Sequence, residues 1–184
     1  MKTIVELDDL WDASLIEKYL VPLRELHPAF EANVFCIPNK LGEVHMLKKV
    51  YPWIRFYIHG FEHTHFECGE WTEPKAHALI SRALEMGYEP VFKAPNYLLD
   101  DETGKAVANL GLILVNNPTY QPDVPGLVTY PNIDKYPRHI RVCSHLVWYP
   151  RTNDFIEQHP WFVNQSIKEV DEFVSIEEIV HAKA

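Results

Sequence analysis

Three histidines, two glutamates and one cysteine fall within the ten residues that follow Ile58. His59 and His63 are four positions apart, so a helical turn begun at Gly60 would place both imidazoles on one face, about 5 to 6 Å apart. His63 and His65 form a second pair, which an extended chain would direct to the same side. Either pair can chelate one divalent metal ion, and the spacing by itself leaves both open.

Two adjacent carboxylates, Asp8 and Asp9, lie directly after the first predicted strand. Catalytic zinc sites commonly take three protein ligands from histidine and carboxylate and leave one position for water. Asp9 with His59 and His63 would complete such a site, while Asp8 would stay free to act as a base. The alternative interpretation is that the two aspartates cap the helix that follows.

Short β-branched and aromatic runs alternate with helical patterns or polar turns, which predicts an α/β fold with a largely parallel sheet. The predicted strands are 3–7, 33–37, 54–58, 90–93, 112–115, 127–130 and 140–146, and the predicted helices are 13–26, 42–50, 73–86, 153–159 and 175–181. Such strands can close into a barrel or remain an open sheet, and both architectures place their chemistry at the carboxyl ends of strands. Lys93, Tyr97 and His145 meet that criterion beside the aspartates and histidines.

The size and charge of the chain limit the classes of function. Its 184 residues predict one domain over 1–184, because single cores usually serve chains of about 100 to 200 residues. The net charge of −9 argues against nucleic acid as a partner, since most of this surface would repel a phosphate backbone. No run approaches 18 consecutive apolar residues, so the sequence predicts no membrane span.

The start of the chain and its cysteines predict a cytoplasmic protein. The first twelve residues, MKTIVELDDLWD, lack the apolar core of a secretory signal. Three cysteines without C-x-x-C spacing favour a reduced compartment over a disulfide framework. Cys36 and Cys143 lie in apolar runs, and we expect both to be buried.

Four short segments, VELDDL, IHGFEH, FKAPNY and RVCSHLVW, occur in this order between positions 5 and 148. Together they resemble the motifs of the polysaccharide deacetylase family, the NodB-homology domain of carbohydrate esterases. The resemblance implies a distorted (β/α) barrel of about seven mostly parallel strands. It also implies a metal-dependent N-deacetylase that hydrolyses an N-acetyl group with metal-bound water as the nucleophile.

The resemblance assigns roles to the residues singled out above. Asp9, His59 and His63 would hold the divalent metal, with zinc first and nickel, cobalt and manganese as ions that accept the same ligands. Asp8 would be the general base, and His145 would protonate the departing amine.

Around the reacting group, the resemblance implies further contacts. Tyr97 would offer a backbone N–H to the oxyanion, with Lys93 and Trp148 as further substrate-side residues. Aromatic rings near the strand ends can stack on the apolar face of a sugar, and the candidates are Trp71, Tyr97, Trp148 and Tyr149.

The chain also departs from the family pattern. Lys93 stands where the family usually has arginine, and lysine lacks the planar fork that binds both oxygens of Asp8, so an exposed structural lysine is the alternative. Gly60 stands where the family has serine or threonine, and Asp134 is the nearest candidate for the acid that orients His145. We expect the carboxylates of Glu62 and Glu67 to be solvated.

These considerations predict a glycan or small-molecule substrate, and they make no prediction of oligomeric state. A cytoplasmic enzyme would act on a small N-acetylated sugar, a nucleotide sugar or a glycan precursor rather than on a long polysaccharide. Two alternatives remain open: another metal-dependent amidohydrolase or phosphoesterase that uses His63 and His65, and a non-catalytic relative that binds a glycan or a protein.

Overall fold

A parallel sheet carries the fold. The computed structural model describes residues 2–116, 122–131, 140–146, 167 and 170–182. Seven strands follow one another across the sheet in the order β6-β5-β4-β3-β2-β1-β7, and β8 pairs with the start of β1. The strands are β1 Lys2–Leu10, β2 Ala32–Cys36, β3 Ile54–His59, β4 Val91–Lys93, β5 Ile113–Val115, β6 Val128–Tyr130, β7 Ile140–His145 and β8 Glu172–Phe173.

Helices connect the strands and cover one face of the sheet. A π-helical turn, Ile16–Leu20, runs directly into the first α-helix. The α-helices are α1 Val21–Leu26, α2 Pro38–Leu41, α3 His45–Val50, α4 Glu73–Glu85, α5 Asp101–Asn109 and α6 Ile176–His181. On α4, successive turns bury Ala76, Ile80 and Ala83 in the larger hydrophobic cluster, as helical spacing predicts.

The sheet curls so far that side chains from its two edge strands meet. Strands β6 and β7 lie at opposite ends of the strand order, yet the Arg141 guanidinium on β7 lies 5.6 Å from the centre of the Tyr130 ring on β6. A second apolar cluster fills this concave interior, and α6 contributes Ile176 and Ile179 to it. The result is a distorted, open (β/α) barrel with its polar site on the concave side.

The predicted fold class and all seven predicted strands are confirmed, within one to three residues at their ends. The prediction missed β8, α2 and α5, and the break that it expects near Pro22 in the helix 13–26 corresponds to the change from the π-helical turn to α1 between Leu20 and Val21. The predicted helix 153–159 lies outside the described residues, and the assignment of 1–184 to one domain stays a prediction. Among the helices that the structure describes, none has the length and apolar character needed to cross a bilayer.

Candidate metal centre

Strand β1 is irregular where its two aspartates lie. Its pairing register with β2 shifts between Leu7 and Leu10, and Asp9 adopts a left-handed backbone conformation with φ 70°. A bulge of this kind redirects side chains that would otherwise alternate between the two faces of a strand. Asp8 and Asp9 therefore both face interior side chains, Asp8 contacting Lys93 and Asp9 contacting the histidines.

Three side chains converge beside this bulge. Asp9 Oδ1 lies 3.4 Å from His59 Nε2 and 3.0 Å from His63 Nε2. One ligand atom from each residue lies within 4.8 Å of the other two, and this is the metal-ligand cluster found among the described residues. Asp9 and His59 are buried, and His63 is partly buried. The structure thus brings together the three residues that the sequence singles out as ligands.

The other nitrogen of His59 determines which of its atoms can bind a metal. His59 Nδ1 lies 3.0 Å from the backbone carbonyl oxygen of Lys93. Because a carbonyl oxygen can only accept, Nδ1 must carry the proton and donate it. In the neutral ring the lone pair therefore lies on Nε2, the atom that faces Asp9, and this is the usual arrangement of a metal-binding histidine.

The donor set fits a divalent cation. Asp9 Oδ1 is buried, and within the described part of the chain no N–H meets it with the geometry of a hydrogen bond, although both imidazoles are close. Zinc bonds of about 2.0 to 2.2 Å place the ligands of a tetrahedral site about 3.3 to 3.5 Å apart. The separation of 3.4 Å between Asp9 Oδ1 and His59 Nε2 matches that spacing, and the 3.0 Å to His63 Nε2 is a few tenths of an ångström shorter.

Electrostatics within the cluster favour a positive charge between its members. Burial alone raises the pKa of Asp9, but the close contact and charge of His59 and His63 outweigh it and hold that pKa well below its ordinary value. Burial lowers the pKa of His63, and Asp9 more than reverses this, so the pKa of His63 is raised. A bound divalent cation would take the place of that imidazole proton.

The loop between the two histidines is not the helical turn that the sequence analysis assumes. Residues 60–64 are irregular, with bends at 61 and 62 and left-handed φ values of 59° at Gly60 and 62° at His63. Glu67 closes this loop, and its side chain is 7% exposed rather than solvated. The prediction for Glu67 was therefore wrong, while Glu62 is exposed as expected.

A buried network of charges lies on the other side of Asp8. Lys93 Nζ donates to Asp8 Oδ1 at 2.8 Å and to Asp8 Oδ2 at 2.7 Å, and it lies 3.8 Å from Glu6 Oε2. Arg141 binds both carboxylate oxygens of Glu6 through Nε and Nη2. Lys93 and Glu6 are 1% and 0% exposed, so the alternative of an exposed structural lysine is wrong.

The ammonium of Lys93 contacts Asp8 with a geometry different from that of the arginine fork that the family usually has at this position. A single nitrogen lies between the two oxygens of Asp8, so one point charge contacts both. Burial alone lowers the pKa of Lys93, but the charges of Asp8 and Glu6 outweigh it and raise that pKa. The two carboxylates therefore favour the charged form of the ammonium. Cys143, predicted to be buried, is exposed, with its sulfur 3.7 Å from Lys93 Nζ, whereas Cys36 is buried as predicted.

Solved structures resemble this chain although its sequence matches no family model and no curated protein. An acetyl xylan esterase of family 4 from Clostridium thermocellum, in complex with a cobalt ion, superposes with a TM-score of 0.64 over 97% of this chain and 89% of that one, at 13% identity. A peptidoglycan N-acetylglucosamine deacetylase gives a TM-score of 0.58 over 99% and 89%, at 12% identity.

Two further structures extend the comparison. A carbohydrate esterase of family 4 from Streptomyces lividans, in complex with acetate, has a TM-score of 0.51 and 18% identity, and the match covers 62% of this chain and 61% of that chain. A family 4 pseudoenzyme from Bacillus anthracis has a TM-score of 0.55 and 11% identity over 97% of this chain and 65% of that one. This chain has the polysaccharide deacetylase fold.

Within this polysaccharide deacetylase fold, His145 lies beside the cluster, and Tyr97 lies beside Lys93. His145 ends β7, and its Nε2 is 4.0 Å from Asp9 Oδ2, with 41% of the side chain exposed. The N–H of Tyr97 donates to the Ala94 carbonyl at 3.0 Å, so the oxyanion role assigned to it would require that bond to be exchanged and stays a prediction. The Tyr97 ring lies 5.0 Å from Lys93 Nζ.

Other predicted contacts lie away from the cluster or outside the described residues. His65 is exposed, and its Nδ1 lies 3.3 Å from Asn96 Nδ2. Trp71 is 3% exposed and packs in the larger core against Phe92, so it is not a surface for a sugar. Trp148, Tyr149 and Asp134 lie outside the described residues.

Three residues of the site, Glu6, Arg141 and Glu67, received no role there in the sequence analysis. Glu6 lies two positions before Asp8, so the alternation of a strand could have placed both carboxylates on one face. Arg141 lies four positions before His145 on β7, where the same alternation applies. Glu67 gave no comparable signal, because its burial depends on a loop conformation that has no regular period.

Proposed function

We propose that this protein is a metal-dependent hydrolase that removes the N-acetyl group from an N-acetylated sugar or a small glycan precursor. One observation carries the proposal. Asp9, His59 and His63 converge in the geometry of a divalent site, with a second carboxylate, Asp8, adjacent on the same bulged strand. The fold that this chain shares with family 4 esterases and deacetylases supports it.

The ion would lie at the carboxyl ends of β1 and β3. Asp9, His59 and His63 would hold it, and the nitrogen and oxygen donor set suits zinc first. A divalent cation in this position supplies a Lewis acid that polarises the acetamide carbonyl and lowers the pKa of water. The cobalt ion in the acetyl xylan esterase supports a divalent ion of this class.

Asp8 is the base in this proposal. Its carboxylate accepts the proton from the attacking water, while Lys93 fixes its position through contacts to both oxygens. Lys93 is itself confined, because its ammonium lies 4.9 Å from the centre of the Phe35 ring and 5.0 Å from that of Tyr97. Asp8 is 4% exposed, so its carboxylate is withdrawn from bulk solvent.

His145 donates a proton to the departing amine. Its partly exposed imidazole lies on the solvent side of the cluster, 4.0 Å from Asp9 Oδ2, where a substrate nitrogen can reach it. The products are then acetate and a free amine. The three free cysteines support the proposal that this chemistry takes place in the cytoplasm.

The test is acetate release by the zinc-reconstituted protein from a panel of N-acetylated monosaccharides, nucleotide sugars and short chitooligosaccharides. We expect about one equivalent of bound zinc, and we expect Asp8→Asn to lower the rate by about 100- to 10,000-fold while zinc remains bound. Full activity in Asp8→Asn would remove Asp8 as the base. No acetate from any substrate would contradict the deacetylase.

A second candidate is a non-catalytic relative that binds a glycan. Two observations favour it: the ammonium of Lys93 engages both oxygens of Asp8, and a pseudoenzyme shares the fold. A panel that raises the melting temperature without any acetate release would support this candidate. The alternative based on His63 and His65 finds no support, since the cluster contains His59 and His65 lies against Asn96.

A further inference from the structure

The loop from Gly60 to His63 must hold one ligand without regular structure. His59 is anchored by β3, whereas His63 lies four residues beyond in an irregular segment. Both Gly60 and His63 have left-handed φ values, 59° and 62°. A histidine in this conformation is uncommon, so something outside the local backbone has to maintain it.

Glu67 provides that restraint. Its Oε1 accepts the backbone N–H of Phe61 at 3.0 Å and that of His63 at 2.9 Å, and its Oε2 accepts the N–H of Glu62 at 3.0 Å. Successive N–H groups that converge on one anion form a compact backbone nest. The carboxylate is 7% exposed, and these contacts are charge-assisted, so they are stronger than neutral hydrogen bonds.

Gly60 makes room for this carboxylate. A Cβ atom at position 60 would collide with Glu67 Oε1 and would lie 2.9 Å from Cδ of Pro95. No side chain larger than hydrogen therefore fits at position 60 while Glu67 occupies the nest. The two residues therefore depend on each other: the absence of a side chain at Gly60 lets the Glu67 carboxylate reach the backbone N–H groups.

The glutamate is itself anchored to the scaffold. It begins a 3₁₀ turn, Glu67–Gly69, whose Cys68 carbonyl accepts the Thr103 hydroxyl at 2.6 Å and the Asp100 N–H at 3.4 Å. Thr103 is fully buried on α5, so the turn is attached to a helix. Helix α5 thereby fixes the 3₁₀ turn, and Glu67 of that turn fixes the backbone of His63.

We infer that Glu67 is a positioning residue for metal binding, which clamps the Gly60–His63 backbone so that His63 Nε2 faces Asp9 and His59 before an ion arrives. The inference rests on the metal centre of the proposed function and adds the element that preorganises it. Glu67 is not part of the ligand cluster of Asp9, His59 and His63, and its two oxygens face three backbone N–H groups instead. Outer partners of this kind typically change metal affinity by about 10- to 100-fold.

The experiment titrates metal-free protein with Co²⁺ and records both the dissociation constant and the visible spectrum of the bound ion. We expect Glu67→Ala to weaken Co²⁺ binding by about 10- to 100-fold and to change the spectrum, because His63 is no longer held in place. Glu67→Gln should lose less, since one amide oxygen can still accept the Phe61 and His63 N–H groups. Glu70→Gln, which removes an exposed carboxylate directly after the same turn, is the matched control and should bind as the wild type does.

Stability is measured beside affinity, by thermal melting of the metal-free proteins. Melting that falls in the Glu67 variants while Co²⁺ affinity and spectrum stay at wild-type values would overturn the inference, because the residue would then support only the fold. If Glu67→Ala does not fold, Glu67→Gln and Gly60→Ala take its place, and Gly60→Ala should weaken Co²⁺ binding by expelling the carboxylate.

The outcomes separate this inference from the proposed function. Wild-type protein that binds Co²⁺, loses affinity on Glu67 substitution and releases no acetate would support the clamp and contradict the deacetylase. Wild-type protein that binds no Co²⁺ would overturn the metal centre and the clamp together.

Discussion

The two sides of the site are held in place by different means. On the ligand side, backbone groups orient the side chains: a bulge turns Asp9, the Lys93 carbonyl fixes His59, and the Glu67 nest fixes His63. On the base side, buried ion pairs do this work, with Lys93 between Asp8 and Glu6. On the ligand side, lone pairs of three side chains point to one place. On the base side, each buried carboxylate already contacts a cationic side chain.

Because of this difference, we expect the ligand side to determine metal affinity and the base side to determine the stability of the fold. The ligand side leaves Asp9 Oδ1 without a hydrogen bond from the described residues, so its geometry is completed only by a cation or a proton. The base side contains matched charges whose removal leaves a buried ion without a partner, which is strongly destabilising. Substitutions on the two sides should therefore change different measured quantities.

The largest effect on stability is expected for Lys93→Met. This change keeps the volume but leaves the carboxylates of Asp8 and Glu6, 4% and 0% exposed, without the ammonium between them. Chemical denaturation should show a loss of about 3 to 5 kcal/mol in the free energy of unfolding. Lys75→Met, at an exposed position on α4, is the control and should change it by less than about 0.5 kcal/mol.

Metal affinity in the same Lys93→Met variant sharpens the comparison. The contact to His59 comes from the backbone carbonyl of Lys93, which the substitution preserves. Folded Lys93→Met should therefore bind Co²⁺ within about threefold of the wild type. A larger loss would show that the two sides are not independent.

Asp9→Ala should give the reverse of Lys93→Met, with a large loss of metal affinity and a small loss of stability. It removes the carboxylate that both imidazoles face, so calorimetric titration with Zn²⁺ should show at least about a 100-fold loss of affinity, or about 2.7 kcal/mol. The free energy of unfolding of the metal-free variant should fall by less than in Lys93→Met, because an imidazole that loses Asp9 can give up its proton and become neutral, so no buried charge is left without a partner. Wild-type affinity for zinc in this variant would contradict the ligand assignment.

Arg141→Met should have an intermediate effect on stability. Glu6 would lose its two-point contact with the guanidinium but keep Lys93 Nζ at 3.8 Å. Since one cation remains, the expected loss in the free energy of unfolding is about 1 to 3 kcal/mol, smaller than for Lys93→Met. Equal losses in the two variants would indicate that both cations contribute alike to stability and would contradict this order of effects.

His65→Ala should have the smallest effect. The imidazole is exposed and lies against Asn96, apart from the three residues of the cluster. Zinc affinity should remain within about twofold of the wild type, measured beside His59→Ala, which should lose binding. If His65→Ala lost zinc and His59→Ala kept it, the H-x-H pair would be the ligand set.

The sequence predicts the part of the site that follows from strand ends. Asp8, Asp9, His59, Lys93 and His145 all lie at carboxyl ends of parallel strands, and a sheet of that kind brings such ends to one side. Their approach in space therefore needs only the correct strands. The register shift in β1 is not required for that prediction, although it determines how both aspartates face inward.

The parts that were missed depend on contacts remote in sequence. The burial of Lys93 follows from carboxylates 85 and more positions away, Asp8 and Glu6, which no local pattern reveals. Glu67 resembles a solvated carboxylate in a polar run, and only the left-handed turns before it create its binding nest. Thr103 and Gly104 lower the helix propensity of α5, and a Cβ at Gly104 would lie 3.0 Å from Val124 Cγ2, so a larger residue there would press on Val124.

Lys93 has a double position, since its carbonyl holds His59 and its ammonium holds Asp8. A displacement of the end of β4 must consequently shift a metal ligand and the base in the same movement. A ligand that binds against this strand end and displaces it would thus change metal coordination by His59 and proton acceptance by Asp8 at the same time.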